Sequence, residues 1–178
     1  MNPQDLDIHL QSIKAVTTSG SLRRVMIQAL QALGFESWVY ASDNPYSTVG
    51  LPATLASGQT TRWLMTYLMK GYQAIDPIVV HCRNDNEPFF WDSRAGWEAA
   101  DPKVQKFMMD VSKHGFGSGV ALPLKPEGAP SGLLSLTSKQ GLDLEYKRYQ
   151  ELLPCLARTG AAAHEAMHQI LKKSKLSH

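Results

Sequence analysis

Apolar residues recur at helical spacing near the start of the chain, at Leu6, Leu10, Ile13 and Val16, and predict an amphipathic helix over Leu6–Val16. Thr17-Thr18-Ser19-Gly20 breaks the pattern. It resumes at Leu22, Val25, Met26, Ala29, Leu30 and Leu33, a second helix with Ser21 as the expected N-cap and Gly34 as the stop. Phe35–Ala41 is aromatic and β-branched and reads as a strand. Prolines and glycines between Ser42 and Thr60 mark a loop, with only a poor strand signal near Thr48–Leu55.

A third helix carries Trp63 and Tyr67 and runs to about Tyr72. Asp76-Pro77 signals a short helix through Cys82, because proline suits the first helical turn. Asn84–Glu87 is a polar turn before a strand at Pro88–Trp91. Asp101-Pro102 opens a helix that buries Val104, Phe107, Met108 and Val111 and ends at Gly115. Ser118–Leu124 and Gly132–Ser138 read as a hairpin across the proline- and glycine-bearing turn Lys125–Ser131. The last element is a long helix from about Leu144 to Lys173, which Pro154 is expected to start, kink or interrupt. This order predicts an α+β fold, an α-β-α sandwich with a central, mostly antiparallel sheet and helices on both faces.

Composition adds bounds. With 178 residues, 43% of them hydrophobic, the chain is long enough for one domain with a sizeable core. Eighteen basic against 16 acidic residues leave a net charge of +2, which makes no case for broad nucleic-acid binding. Cys82 and Cys155 lack metal or CxxC spacing and read as reduced thiols of a cytoplasmic protein. The opening MNPQDLDIHL does not have a signal-peptide pattern, and no apolar run approaches a membrane span.

Candidate chemistry concentrates between Arg62 and Trp91. Trp63 and Tyr67 are four apart and share a helical face, with Asp76 and Trp91 following. Indole N–H groups, a phenol and a carboxylate on apolar surface suit a small-molecule pocket, although the same spacing fits an ordinary aromatic core. A competing motif is His164-Glu165-Ala166-Met167-His168, an HExxH in which two histidines one turn apart can hold zinc and the glutamate can act as base. Catalytic zinc also needs a third ligand; Leu171 and Ser174 stand where the extended motif has Gly and His, and no acid follows Glu165. The alternative is a solvated face of an alanine-rich helix. No G-x-S-x-G occurs, and His9, His81 and His114 are isolated.

The set W-x3-Y, D-P and P-F-F-W, with Leu33-Gly34-Phe35, His114-Gly115-Phe116 and Gly132-Leu133-Leu134-Ser135 around it, resembles the autoinducer-binding domain of LuxR-type quorum-sensing regulators. The resemblance covers residues from about 20 to 170. It implies a sensory domain rather than an enzyme, taking an N-acyl homoserine lactone or a related amphiphile and no cofactor; the alternative is a divergent regulator domain whose pocket is filled by its own side chains and binds no lactone. By the resemblance, Asp76 accepts the ligand amide N–H and Trp63 donates to the lactone carbonyl. Tyr67 and Trp91 pack on the amide and ring, and Ser135 reaches the amide carbonyl. Gln59 stands where the family often has a donating tyrosine, Ile78 where some members are polar, and Leu133 on the strand that lines the acyl pocket. The family also implies a homodimer, with DNA bound only through a helix-turn-helix module that this sequence does not contain. The chain therefore reads as the ligand-binding half of a longer regulator, away from membranes.

Overall fold

The computed structural model describes residues 3–176, and its architecture follows from two surfaces of one sheet. Helices α1 (Pro3–Lys14) and α2 (Ser19–Ala32) lead into β1 (Ser37–Ser42) and β2 (Ala53–Ser57). Then come α3 (Gln59–Met69), a single 3-10 turn at Tyr72–Ala74, α4 (Pro77–Asn84), β3 (Phe89–Asp92) and α5 (Pro102–Lys113). The hairpin β4 (Ser118–Leu124) and β5 (Gly132–Ser138) precedes the long α6 (Leu142–Leu176). The strands lie in the order β2-β1-β5-β4-β3, every neighbouring pair antiparallel. The expected α-β-α sandwich is the fold observed.

Side chains alternate across the sheet, as strand geometry requires. Trp38 and Tyr40 of β1, Val120 and Leu122 of β4 and Leu134 and Leu136 of β5 face a core completed by α1, α2 and α6. Trp91 of β3, Ala121 of β4 and Leu133 of β5 face the opposite way, into a second core under α3, α4 and α5. That second core holds most of the candidate residues.

Four details differ from expectation. Helix α2 begins at Ser19 and is capped by Thr18, not Ser21. The Thr18 hydroxyl accepts the Ser21 N–H at 3.1 Å, while the Ser21 hydroxyl receives the Thr18 N–H at 3.2 Å. This reciprocal box satisfies two otherwise orphaned donors, which a cap at Ser21 alone would not. The poorly signalled strand exists but lies later, at Ala53–Ser57, held by its register with β1. Helix α3 ends at Met69, because Gly71 adopts φ 66° and turns the chain before Tyr72. Pro154 interrupts nothing: α6 runs through it, with the proline on the exposed side. Among the described residues no helix is long and apolar enough to cross a membrane.

Candidate functional site

Asp76 is the centre of the second core's polar chemistry. Its backbone is extended, φ −63° and ψ 113°, and it caps α4 while Pro77 fills the first helical turn. Oδ1 accepts the Ile78 N–H at 2.8 Å and Oδ2 accepts the Tyr67 hydroxyl at 2.9 Å. The carboxylate is only 6% exposed. Burial raises its pKa from 3.8 to about 6, against the opposing pull of those two donors. An ionised carboxylate offers about four lone-pair sites; the Ile78 and Tyr67 bonds and a further backbone donor at Val79 leave room for one more. Burial first, and then the Asp76 charge, hold the Tyr67 phenol protonated well above its ordinary range.

Aromatic rings cluster around the Tyr67 that binds this carboxylate. Trp63 lies 6.3 Å from Tyr67, 5.8 Å from Tyr72, 6.2 Å from Phe107 and 4.6 Å from the His114 ring. Tyr72 and Phe107 meet edge to face at 4.9 Å. Centroid separations in this range are those of favourable aromatic pairs. On the sheet, Trp91 lies over Gly119, where an added Cβ would fall 2.4 Å from its ring. The indole Nε1 of Trp91 is buried and has no hydrogen-bond partner among the described residues. A buried N–H without a partner is uncommon, and this one is a donor opposite in kind to the Asp76 acceptor.

The structure therefore gathers Trp63, Tyr67, Asp76 and Trp91 around one core. Ser135 belongs to its floor: it is buried on β5, paired in register with Ala121 of that same cluster. Ile78 and Leu133 pack there too. Gln59 is directed elsewhere. Its side-chain amide donates to the His114 carbonyl, and it lines a separate cleft of about 320 Å³ with Phe116, Thr137 and Arg148. A second cleft, about 330 Å³ beside Asp5 and His9, is also remote from Asp76.

Sequence reasoning missed Tyr72 and His114 as neighbours of Trp63. His114 was isolated in the sequence because the contact joins the middle of α3 to the C-terminal cap of α5. Tyr72 also donates to Asp110, which Lys70 meets at 2.6 Å. These groups hold the Asp110 carboxyl below its ordinary pKa. Asp110 was not among the positions of α5 that the periodicity marked as buried, and its partners Lys70 and Tyr72 come from the turn after α3.

The HExxH histidines sit in the other core and are differently occupied. His164 is buried, with Nδ1 2.8 Å from the Tyr40 hydroxyl and Nε2 2.9 Å from the Pro130 carbonyl. A carbonyl can only accept, so Nε2 carries the proton and Nδ1 accepts from Tyr40. Both nitrogens are thus used within the protein. Glu165 faces solvent, and no third His, Cys, Asp or Glu among the described residues joins the pair. That arrangement is a core hydrogen-bond network, not a converging ligand set.

Comparison with known proteins adds to this geometry. Residues 18–167 match the family model described as the autoinducer binding domain. The transcriptional activator protein AnoR of Acinetobacter nosocomialis is 23% identical over 127 residues, 71% of this chain and 52% of that protein. The chain thus spans about half of that relative's length. CepR2 of Burkholderia cenocepacia is an N-acylhomoserine lactone-dependent LuxR family transcription factor. Its structure aligns with a TM-score of 0.76 at 22% identity, covering 95% of this chain and 97% of that one. SdiA of Escherichia coli is also similar in fold. Its complex with octanoyl-rac-glycerol aligns with a TM-score of 0.65 at 16% identity, covering 94% of this chain and 68% of the other.

Proposed function

The chain belongs to the autoinducer binding domain family, and on that premise we propose that it is the ligand-sensing part of a LuxR-type quorum-sensing regulator. Its ligand is an N-acyl homoserine lactone or a related amphiphile. The observation that carries this reading is the Asp76 carboxylate, buried and joined to the aromatic cluster through Tyr67, with a lone pair to spare. A ligand amide N–H is the natural donor for it, because a second anion would be repelled and an apolar group would leave its remaining lone pair unsatisfied. Trp63 donates to the lactone carbonyl, Ser135 to the amide carbonyl, and Tyr67 and Trp91 pack on the head group. Ile78 and Leu133 line the path of the acyl tail. Gln59 acts through its hold on His114, whose ring packs on Trp63.

The named ligands of the structural relatives support an amphiphile of this kind: an acyl homoserine lactone for CepR2 and an octanoyl glycerol for SdiA each join a polar head to an acyl tail. In this reading the intact regulator is cytoplasmic and couples occupancy to dimerisation and to DNA binding by a separate module; that AnoR is a transcriptional activator supports the transcriptional part of it. A second reading has its own observation: Trp63, Tyr67, Tyr72 and Phe107 already pack on one another, which favours a pocket filled by its own side chains.

Thermal-shift titration with lactones of increasing tail length separates the two. Sensing predicts stabilisation of about 2.7 kcal/mol at a ligand concentration 100 times Kd. Affinity should rise about fourfold per added CH2 until the pocket is full. Asp76→Ala should cost about 1.5–3 kcal/mol of ligand affinity. Stabilisation by no lactone, with no small molecule extracted from the purified protein, would favour the filled pocket.

A further inference from the structure

The outward faces of α3 and α5 carry a pattern that the ligand reading does not use. Met65, Leu68 and Met69 of α3 are 64%, 52% and 83% exposed, and Met109 of α5 is 57% exposed. Arg62, Met65 and Met69 recur at i, i+3 and i+7, and so do Lys106, Met109 and Lys113. Each helix therefore turns one stripe of thioether and cation to solvent. The helices are neighbours through Trp63, which reaches Phe107 and His114. The Lys70–Asp110 bridge of 2.6 Å brings together the residues that follow Met69 and Met109.

Charge on this surface is one-sided. Helix α3 contains no acid, and α5 contains only Asp110, which is buried and bound by Lys70 and Tyr72. Asp101 and Glu98 lie before the N-terminal end of α5, away from Lys113. Exposed apolar side chains collected on one face mark an interaction site, and methionine's flexible, polarisable chain suits packing against a helix. The flanking cations repel a basic partner and attract an acidic one.

We propose that the outer face of α3 and α5 docks an acidic amphipathic helix of a protein partner. The methionines and Leu68 take its apolar stripe, and Arg62, Lys106 and Lys113 take its carboxylates. The partner helix would be read through apolar anchors at i, i+3 or i+4 and i+7, as amphipathic helices are. A lipid surface fits less well, because interfacial helices present Trp, Phe and Leu to the membrane, whereas here Trp63, Tyr67 and Phe107 all turn inward.

Fluorescence anisotropy with designed probes tests it. One labelled peptide of about 18 residues carries Leu on one helical face and Glu on the other, and a second carries Lys in place of Glu. Phosphatidylserine vesicles form a third arm. The Glu peptide should bind and weaken about tenfold between about 0.05 and about 0.3 M salt. The combined Met65→Ser, Met69→Ser and Met109→Ser variant, and the Lys106→Glu, Lys113→Glu variant, should each lose about tenfold or more. Both variants should keep a single cooperative melting transition, since every substituted side chain is exposed; the charge variant melts slightly lower, because Lys113 helps to hold the buried Asp110 carboxylate. Equal binding of the two peptides, undiminished binding by either variant, or retention on vesicles without binding of the Glu peptide overturns the proposal.

Discussion

The Tyr67 hydroxyl donates to Asp76 Oδ2 at 2.9 Å, joining the inner face of α3 to the cap of α4 across the turn that Gly71 makes possible. The bond fixes the orientation of a carboxylate that would otherwise be buried with only the backbone N–H groups at the start of α4, Ile78 and Val79, to hold it. A phenol can supply that bond only while it keeps its proton, and the buried Asp76 charge helps ensure that it does.

Removing the donor should therefore be felt at the carboxylate. Tyr67→Phe is expected to destabilise the domain by about 1.5–3 kcal/mol near neutral pH, the usual range for a hydrogen bond to a charged group. It should also push the Asp76 pKa higher still, because the Tyr67 bond lowers it. A carboxyl-detected NMR titration of wild type and variant reads both the direction and the pH at which the groups differ.

Asp76 itself sets a pH dependence of stability with a definite sign. Its folded pKa of about 6 lies above the ordinary 3.8, so the folded chain binds this proton more tightly than the unfolded chain. Its contribution is then most favourable below about pH 4 and falls as pH rises through about 6. The total change is on the order of 3 kcal/mol. Asp76→Asn lacks this titration. Urea unfolding should show the wild type gaining on the variant by that order between about pH 7 and about pH 4; a constant gap would contradict it.

His164 acts in the opposite direction. Burial lowers its pKa below the ordinary 6.5, and protonation would cost Nδ1 its role as acceptor for Tyr40. His168, whose ring lies 4.2 Å away, is also lowered by burial and by His164. Their contribution is complete above the unfolded pKa near 6.5 and is lost as pH falls below it. His164→Gln should flatten the part of the denaturation-midpoint profile that falls away on the acid side. A profile still as steep as the wild type would show that other groups carry the acid sensitivity.

Gly119 is the position where the sheet makes room for an aromatic wall. An added Cβ would stand 2.4 Å from Trp91 Cζ2 and 2.6 Å from the Leu136 carbonyl oxygen, so indole or strand must move. Gly119→Ala is expected to cost about 1–3 kcal/mol by overpacking. It should also change the near-ultraviolet circular dichroism of the second core. Wild-type stability with an unchanged spectrum would show that the contact relaxes freely.

Much of this was legible because it is local. Cap residues, prolines at first turns and periods of 3.6 or 2 specify helices and strands within a few residues of themselves, and Asp76-Pro77 and Asp101-Pro102 opened α4 and α5 as the local chemistry requires. The capping box of α2 was local as well, but Ser21 competed with Thr18 for the same role, and only the reciprocal hydrogen bonds decide between them. β2 was faint for the opposite reason: it is held by five register partners on β1, not by its own composition.

The same division holds at the site. Sequence alone determined the residue types, their spacing and the family resemblance of Trp63, Tyr67, Asp76, Trp91 and Ser135. Tertiary structure decided which of them share a core. It turned Gln59 toward His114, gave Asp76 its Tyr67 partner and spent both nitrogens of His164 on Tyr40 and Pro130. Those outcomes join residues up to 124 positions apart. Such contacts follow from how helices pack on the two faces of a twisted sheet, and no local pattern encodes which distant side chain completes a hydrogen bond.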